Sequence, residues 1–524
     1  MRRLRWASSW AIEFLATAVV LRWLIIRLRR VLLLPTGDTT PPIRPDQVAP
    51  RIRRLILSDL HLGSGDRLDD FEADEELVTF IHYYTLREEP AELILAGDTF
   101  EFLQVRLPIL GDYEWSGAAA EQRLRAILAA HAAVIAALRD FIARPGNQLT
   151  LLIGNHDFEL HYEAAKTLLR SALGLQPGDE RLRFGLSYEG GGIYLEHGNQ
   201  FDDWNRFVHF EGISEPFEVV RGTRVVKDVI NPLEDDPLEV APLVDNVKPT
   251  SAFFWYMLAL PRLRRPDVRR YVVRGLLRLF RTVALPRAYH WRPMLEVREE
   301  LLGAPGTTLQ RELALQAVYA LDPALREAAA VDHGGVIPEV QLRRRGVGRP
   351  AALARTPSSR RPSFRLRPGF VSLSSGRPGF TRGRRREPAE AALARMEQEA
   401  GRQLRREIRE FKGTLLRGMV RIAAGPEHGH NTLFVCGHTH LAEVVALNER
   451  QIYVNTGTWT TIIQDIKTKR RQEQRFPFLE VLYPDGSETP QGRLLVWQGA
   501  NAEPRPWVGA QEEEDEEDVK SSDS

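Results

Sequence analysis

At 524 residues and 43% hydrophobic content, the chain is long enough for one large α/β domain with an insertion, or for two domains. A single cysteine, Cys436, excludes an internal disulfide framework and fits a reducing compartment. The formal net charge of +1 says nothing about partners, because an Arg-rich tract in the middle of the chain is offset by an acidic end, Glu512 to Asp518.

The first candidate element is the apolar run over residues 10 to 34, which Glu13, Arg22 and then Arg27, Arg29 and Arg30 interrupt. A spanning helix needs roughly 20 mostly apolar residues, and a central Arg costs about 2.5–3.5 kcal/mol on insertion scales. The segment is therefore read as a helix lying on the cytoplasmic face of a membrane, with Trp10 and Trp23 in the headgroup zone. A helix packed on the protein itself is the alternative. A cleaved secretory leader is not expected, since the run carries a carboxylate and no clean small-residue site follows it.

From residue 51 the pattern is regular. Strands are expected over residues 54–58, 93–96 and 149–153, and helices over 71–88, 119–143 and 161–173; residues 183–188 and 193–196 read as a hairpin around Gly190-Gly191-Gly192. Strands alternating with helices imply an α/β sheet covered by helices on both faces. The pattern breaks near residue 210 and resumes at Thr432. The runs 443–447, 451–455, 478–483 and 493–497 then suit a second sheet.

The interruption, residues 211–425, is read as a mainly helical insertion. An aromatic cluster, Phe253 to Leu258, precedes a basic amphipathic helix between Pro266 and Leu285. Residues 343–386 hold 14 Arg and no Asp or Glu, so this tract is predicted to be disordered and attractive to any polyanion, nucleic acid or anionic lipid. The predicted organisation is an N-terminal membrane-associating segment and linker (1–50), a catalytic domain in two parts (51–210 and 426–505) around the insertion, and an acidic disordered tail (506–524).

Five motifs carry the chemistry: Asp59-Leu60-His61, Gly97-Asp98, Gly154-Asn155-His156-Asp157, Glu196-His197-Gly198 and Gly437-His438-Thr439-His440. Each follows an apolar run that reads as a buried strand, so ligands are delivered from strand ends toward one place. Residues two apart in extended chain face the same side, so Asp59 and His61 can share one ion, and His438 and His440 repeat that logic. The carboxylate of Asp98 can bridge two cations. Asn155 and His156 add an amide oxygen and an imidazole, and His197 adds another imidazole. Imidazole, carboxylate and amide donors without thiolate favour Mn, Fe, Co or Zn in a working site over a structural zinc. Two divalent ions about 3.5–4 Å apart generate hydroxide near neutral pH and clamp a phosphoryl group for in-line attack, so the set points to hydrolysis at phosphorus. Single histidines elsewhere, His82, His131, His161, His290, His428 and His430, are read as ordinary core or surface side chains.

In this order, DLH, GD, GNHD, HG and GHTH resemble the calcineurin-like metallophosphoesterases, over residues 51–210 and 426–460. The resemblance implies a four-layer αββα sandwich of two mixed β-sheets with a dinuclear site between the strand ends. It also implies that Asp59, His61, His440 and Asp98 hold one metal, and that Asp98, Asn155, His197 and His438 hold the other, Mn being the first expectation and Fe, Zn or Co the alternatives. His156 would then be no ligand but the group that protonates the leaving oxygen or stabilises charge on the transferring phosphoryl group, with Glu101 the carboxylate that pairs with it; Glu101 facing solvent is the other reading. Asp157 and Asp202 fall at no ligand position. Ser58 to Gly63, Gly97 to Glu101 and Gly154 to Phe158 further resemble enzymes that cleave the pyrophosphate of a UDP-diacylglucosamine lipid precursor, although those enzymes carry Arg where His156 stands and lack so long an insertion. The expected substrate is accordingly a phosphate ester or pyrophosphate, lipid-linked or nucleotide, met at the inner face of the membrane. A metal-dependent nuclease and a noncatalytic membrane-associated scaffold are the alternatives.

Overall fold

The computed structural model describes residues 34–49, 51–235, 412–465, 470–471, 476–484 and 487–508. The N-terminal segment before residue 34, the aromatic cluster, the basic amphipathic helix, the Arg-rich tract and the acidic tail all lie outside the described residues.

Sixteen strands occur among the described residues. In chain order they are β1 (Leu34–Thr39), β2 (Arg53–Leu57), β3 (Ala91–Ala96), β4 (Gln148–Leu152), β5 (Leu182–Gly185), β6 (Ser187–Gly190), β7 (Ile193–Glu196), β8 (Gly212–Glu215), β9 (Leu433–Cys436), β10 (Glu443–Ala446), β11 (Ile452–Asn455), β12 (Ile463–Asp465), β13 (Arg470–Arg471), β14 (Phe476–Leu482), β15 (Gln491–Trp497) and β16 (Arg505–Pro506). A seven-stranded sheet runs β16-β15-β14-β2-β3-β4-β5 and a five-stranded sheet runs β10-β11-β9-β7-β6. Both are mixed. β2 to β5 are mutually parallel with β14 antiparallel to β2, and β11, β9 and β7 are parallel with β10 and β6 antiparallel at the edges.

The period of two along each strand sorts side chains into layers. On β2, Leu55 and Leu57 join the helix-side core, while Ile56 joins the core between the sheets; Leu93 and Leu95 against Ile94 repeat the division on β3. On the five-stranded sheet, Leu433 and Val435 face the sheet interface, whereas Phe434 and Cys436 pack toward the helix over 412–424 through Leu415 and Met419. Helices Asp74–Thr85, Gly117–Ala130, Ala132–Ala143 and Glu163–Ala172 cover the seven-stranded sheet. The result is the expected αββα sandwich, with Cys436 buried in its core.

Four expectations change in detail. The run 183–188 is not one hairpin arm: β5 pairs with β4, and β6 crosses to pair with β7. The crossing point is tight, since a Cβ on Gly185 would lie 2.8 Å from the Ile43 side chain. The late strands divide as well. β10 and β11 extend the five-stranded sheet, but β14 and β15 join the seven-stranded one, because Leu479 and Val481 fill the layer between sheets while Phe478 packs on Phe80 at 4.9 Å. Residues expected as linker are partly built in, with β1 paired to β8 and Ile43 buried between the sheets. Finally, the helix expected over 119–143 is two helices meeting at 91°.

That break has a cause in His131. Its Nδ1 lies 2.8 Å from Asp74 Oδ1 and its Nε2 3.0 Å from Asp69 Oδ2, so the buried ring donates an N–H to a carboxylate on each side. Burial pulls its pKa down, but the two carboxylates outweigh burial and hold it up at about 9. Among the described residues, no single helix is long and apolar enough to cross a membrane.

At the start of the parallel strands, a buried polar cluster spans the two sheets. Glu92 Oε2 lies 3.3 Å from Arg54 Nε and accepts from Tyr188 Oη at 2.8 Å, while Glu92 Oε1 accepts from Thr150 Oγ1 at 2.7 Å and from Arg183 Nη2 at 2.5 Å. Breaking one member of such a buried set costs about 3–5 kcal/mol. Glu92→Leu is therefore expected to lower stability by that amount in equilibrium urea denaturation. A second expectation concerns pH. A raised histidine pKa adds stability that is complete below about 6.5 and lost as pH climbs through about 9. The stability gap between wild type and His131→Gln should thus narrow over that window, and a gap independent of pH would contradict the assignment.

Candidate metal centre

The parallel strands of both sheets end at the same edge, where loops at carboxyl ends of strands collect ligands. Asp59, Asp98 and Asn155 follow the adjacent strands β2, β3 and β4; His197 and His438 follow the adjacent strands β7 and β9. Backbone hydrogen bonds stitch four of the five loops into neighbouring pairs. Asp59 N donates to Gly97 O at 3.1 Å, His61 N to Asp98 O at 3.0 Å, and Gly437 N to His197 O at 3.0 Å. One carboxylate joins the sheets at the site, His438 N donating to Asp59 Oδ2 at 2.9 Å, and another ties neighbouring loops of the seven-stranded sheet, His156 N donating to Asp98 Oδ1 at 2.8 Å.

The backbone here is strained. Six non-glycine residues have positive φ among the described residues, and five are Asp59 (52°), His61 (52°), Asp98 (49°), His438 (68°) and His440 (62°). Left-handed conformations cost an L-residue about 1–3 kcal/mol each and cluster where function needs a fixed direction. The motif glycines serve the same end. A Cβ on Gly97, itself at φ 91°, would lie 2.5 Å from the His197 ring; one on Gly154 would lie 2.2 Å from Asp98 Oδ1; one on Gly437 would lie 2.3 Å from Asp59 Oδ2. Each glycine yields its side-chain space to a ligand from another loop.

All seven candidate ligands are buried, and six of them converge. Asp59, His61 and His440 form one donor group, and Asp98, His197 and His438 form another, with the donor atoms of each group within 4.8 Å of one another. His61 Nε2 faces His440 Nε2 at 3.1 Å, an imidazole pair that only a proton or a metal ion reconciles. His197 Nε2 lies 3.0 Å from Asp98 Oδ2, and the same oxygen is 4.0 Å from His61 Nε2, so Asp98 stands between the groups. Asn155 Oδ1 is buried without a hydrogen-bond partner, a state that costs about 1–3 kcal/mol and that a cation relieves. The donor set and this orphaned oxygen fit a pair of divalent ions.

Histidine tautomers are set from behind. His197 Nδ1 is 3.0 Å from Ala96 O, and a carbonyl only accepts, so Nδ1 carries a proton and Nε2 is the nitrogen turned inward, toward Asp98. For His61 the acceptor is Glu101: Nδ1 lies 2.7 Å from Oε2. Asp202 Oδ2 faces His438 Nε2 at 3.2 Å. The surroundings favour positive charge. Burial pulls His197 down, but Asp98, with Asp59 and Asp157, outweighs it and holds the ring up at about 9; burial likewise opposes ionisation of Asp98, yet His197, His156 and His61 hold it well below the carboxylate range.

Glu101 is buried rather than facing solvent. Its Oε2 also accepts from His156 Nδ1 at 2.5 Å, so one oxygen serves both His61 and His156. Burial raises its pKa, but His156 and then His61 outweigh that and hold it at about 2. His61, Glu101 and His156 form a third close group of donor atoms, but contacts of hydrogen-bond length through both Nδ1 atoms make it a proton-sharing set rather than an ion site. Asp157 accepts from Thr99 N at 2.8 Å and Gly154 N at 2.7 Å, tying two loops together.

The sequence reading missed the loop after β11. Thr458 Oγ1 donates to Asp59 O at 2.5 Å, Thr456 Oγ1 pairs with Ser58 Oγ at 2.6 Å, and Asn455 Nδ2 donates to Gly437 O at 2.7 Å. A signal was present: Asn455-Thr456-Gly457-Thr458 follows a buried strand with small polar groups, as the ligand loops do. Asp202's contact with His438 had no comparable signal.

Residues 52–273, less than half of the chain, match the family model of the calcineurin-like phosphoesterase. The matched span holds four of the five motifs and ends before His438 and His440. No curated protein matches the chain. Gly437→Ala is expected to drive Asp59 out of place and reduce bound metal, measured by elemental analysis after dialysis, while Gly37→Ala, where nothing lies within 4 Å of the new Cβ, should leave it unchanged.

Proposed function

We propose that the chain is a dinuclear-metal-dependent phosphoesterase that hydrolyses a phosphate ester or pyrophosphate. What carries the reading is the convergence of two buried donor groups about Asp98, four of whose donors, Asp59, His61, Asp98 and His197, lie in the span that matches the calcineurin-like phosphoesterase family. Asp59, His61, Asp98 and His440 would hold one ion; Asp98, Asn155, His197 and His438 would hold the other. When bound, the pair supplies hydroxide near neutral pH and positive charge for the phosphoryl oxygens.

The remaining work falls to His156 and Glu101. His156 is buried at the rim of the donor groups and held through Nδ1 by Glu101. Its Nε2 edge is then the one that delivers a proton to the leaving oxygen, and Glu101 stabilises the charged imidazole that does so. Asp98 fixes this ring as well, by accepting from the His156 backbone N–H.

The natural substrate class is proposed from sequence likeness alone: a lipid-linked or nucleotide pyrophosphate, met at a membrane surface through residues 1–35. The nuclease and scaffold alternatives are weaker. The first leans on an Arg tract outside the described residues, and the second leaves a complete, strained donor set without a use.

Protein loaded with Mn and offered an aryl phosphate, a bis-aryl phosphodiester, a lipid-linked nucleotide pyrophosphate and single-stranded DNA distinguishes these. Turnover lost in Asp98→Asn is expected. Absence of turnover with every divalent metal would end the enzymatic reading. His156→Gln should retain its metal and lose roughly 10²–10⁴ in kcat.

A further inference from the structure

After β8, the described part of the insertion runs as a helix that docks on the loop carrying Glu101. Residues Arg221–Val225 are α-helical, Val226–Ile230 form a π-helical turn, and Asn231–Glu234 continue as helix. Pro232 explains the widened turn, since proline has no N–H to donate to the preceding turn. Past that turn, the buried side chain of Asn231 donates through Nδ2 to Leu103 O at 2.9 Å. Leu103 N in turn donates to Glu101 Oε1 at 3.0 Å. The other oxygen, Oε2, is the acceptor for His61 and His156.

The two oxygens of Glu101 thus have separate partners. One is tied to the loop that Asn231 fixes, and the other orients a candidate metal ligand together with the candidate proton donor. A carboxylate that holds a ligating imidazole sets its tautomer and direction, and losing such a partner typically costs 10–100-fold in metal affinity or activity.

We propose that Asn231 is a positioning residue: by fixing Leu103 it holds Glu101, and so couples docking of the helix over 221–234 to metal binding at the His61 side of the site. The inference rests on the metal-dependent reading above. Gln104 Nε2 to Glu234 Oε2 at 3.1 Å and Tyr113 Oη to Asp228 Oδ1 at 2.5 Å belong to the same docked helix, but neither bond leads to Glu101.

The test is Mn binding to the full chain, by calorimetry and by elemental analysis, for wild type, Asn231→Ala, the isosteric non-donor Asn231→Asp, and Tyr113→Phe. Wild type and Tyr113→Phe should bind two ions alike, and both Asn231 variants should bind one of the two about 10-fold more weakly. A purely structural role would lower Tm in the Asn231 variants without moving affinity per folded chain. Unchanged affinities in those variants, or equal loss in Tyr113→Phe, would overturn the inference while leaving the proposed function standing. A wild type that binds no ions would overturn both. Should neither Asn231 variant fold, the reciprocal measurement on wild type decides. Coupling runs both ways, so Mn should slow amide exchange over residues 226–234 severalfold more than over the helix 412–424. Equal or absent slowing contradicts the proposal.

Discussion

Burying Asp59 and Asp98 side by side at the edge of the sandwich is the constraint from which the site follows. A buried carboxylate is costly unless hydrogen bonds and positive charge surround it. Here each receives a backbone N–H from a different loop, His438 to Asp59 and His156 to Asp98, so the acids that a cation needs also hold the ligand loops in place. That bracing allows Asp59, His61, Asp98, His438 and His440 to stay in the left-handed region. A loop with less support would relax, and its side chain would turn away.

The layer between the sheets has two polar ends with opposite logic. At the strand starts, Arg54 and Arg183 meet Glu92 with Tyr188 and Thr150, and the charges satisfy one another. At the strand ends, two groups of donors meet about Asp98, and the buried amide oxygen of Asn155 has no partner. Ile56, Ile94, Leu152, Leu195, Val435 and Val454 separate the two. The first end fixes how the sheets meet; the second uses that rigidity to hold a reactive geometry.

Much of the site was legible because ligand chemistry demands particular side chains, and strand ends are recognisable as apolar runs closed by glycine. Asp59, Asp98 and Asn155 on one sheet and His197 and His438 on the other needed no more than that. What escaped depends on pairings far apart in sequence. The crossing at Gly185 follows from Ile43, the helix break at His131 from Asp69 and Asp74, and the membership of β14 from its register with Ile56. Glu101 shows the boundary well: its position in the motif suggested a partner for His156, but its second contact, with His61, exists only once β2 and β3 lie side by side.

Diffraction from crystals soaked in Mn, with anomalous data collected at the Mn edge, tests the central claim most directly. The account predicts two peaks about 3.5–4 Å apart, one among Asp59, His61 and His440 and one among Asn155, His197 and His438, with Asp98 between them. A single peak, or one held by Glu101 and His156, would contradict it.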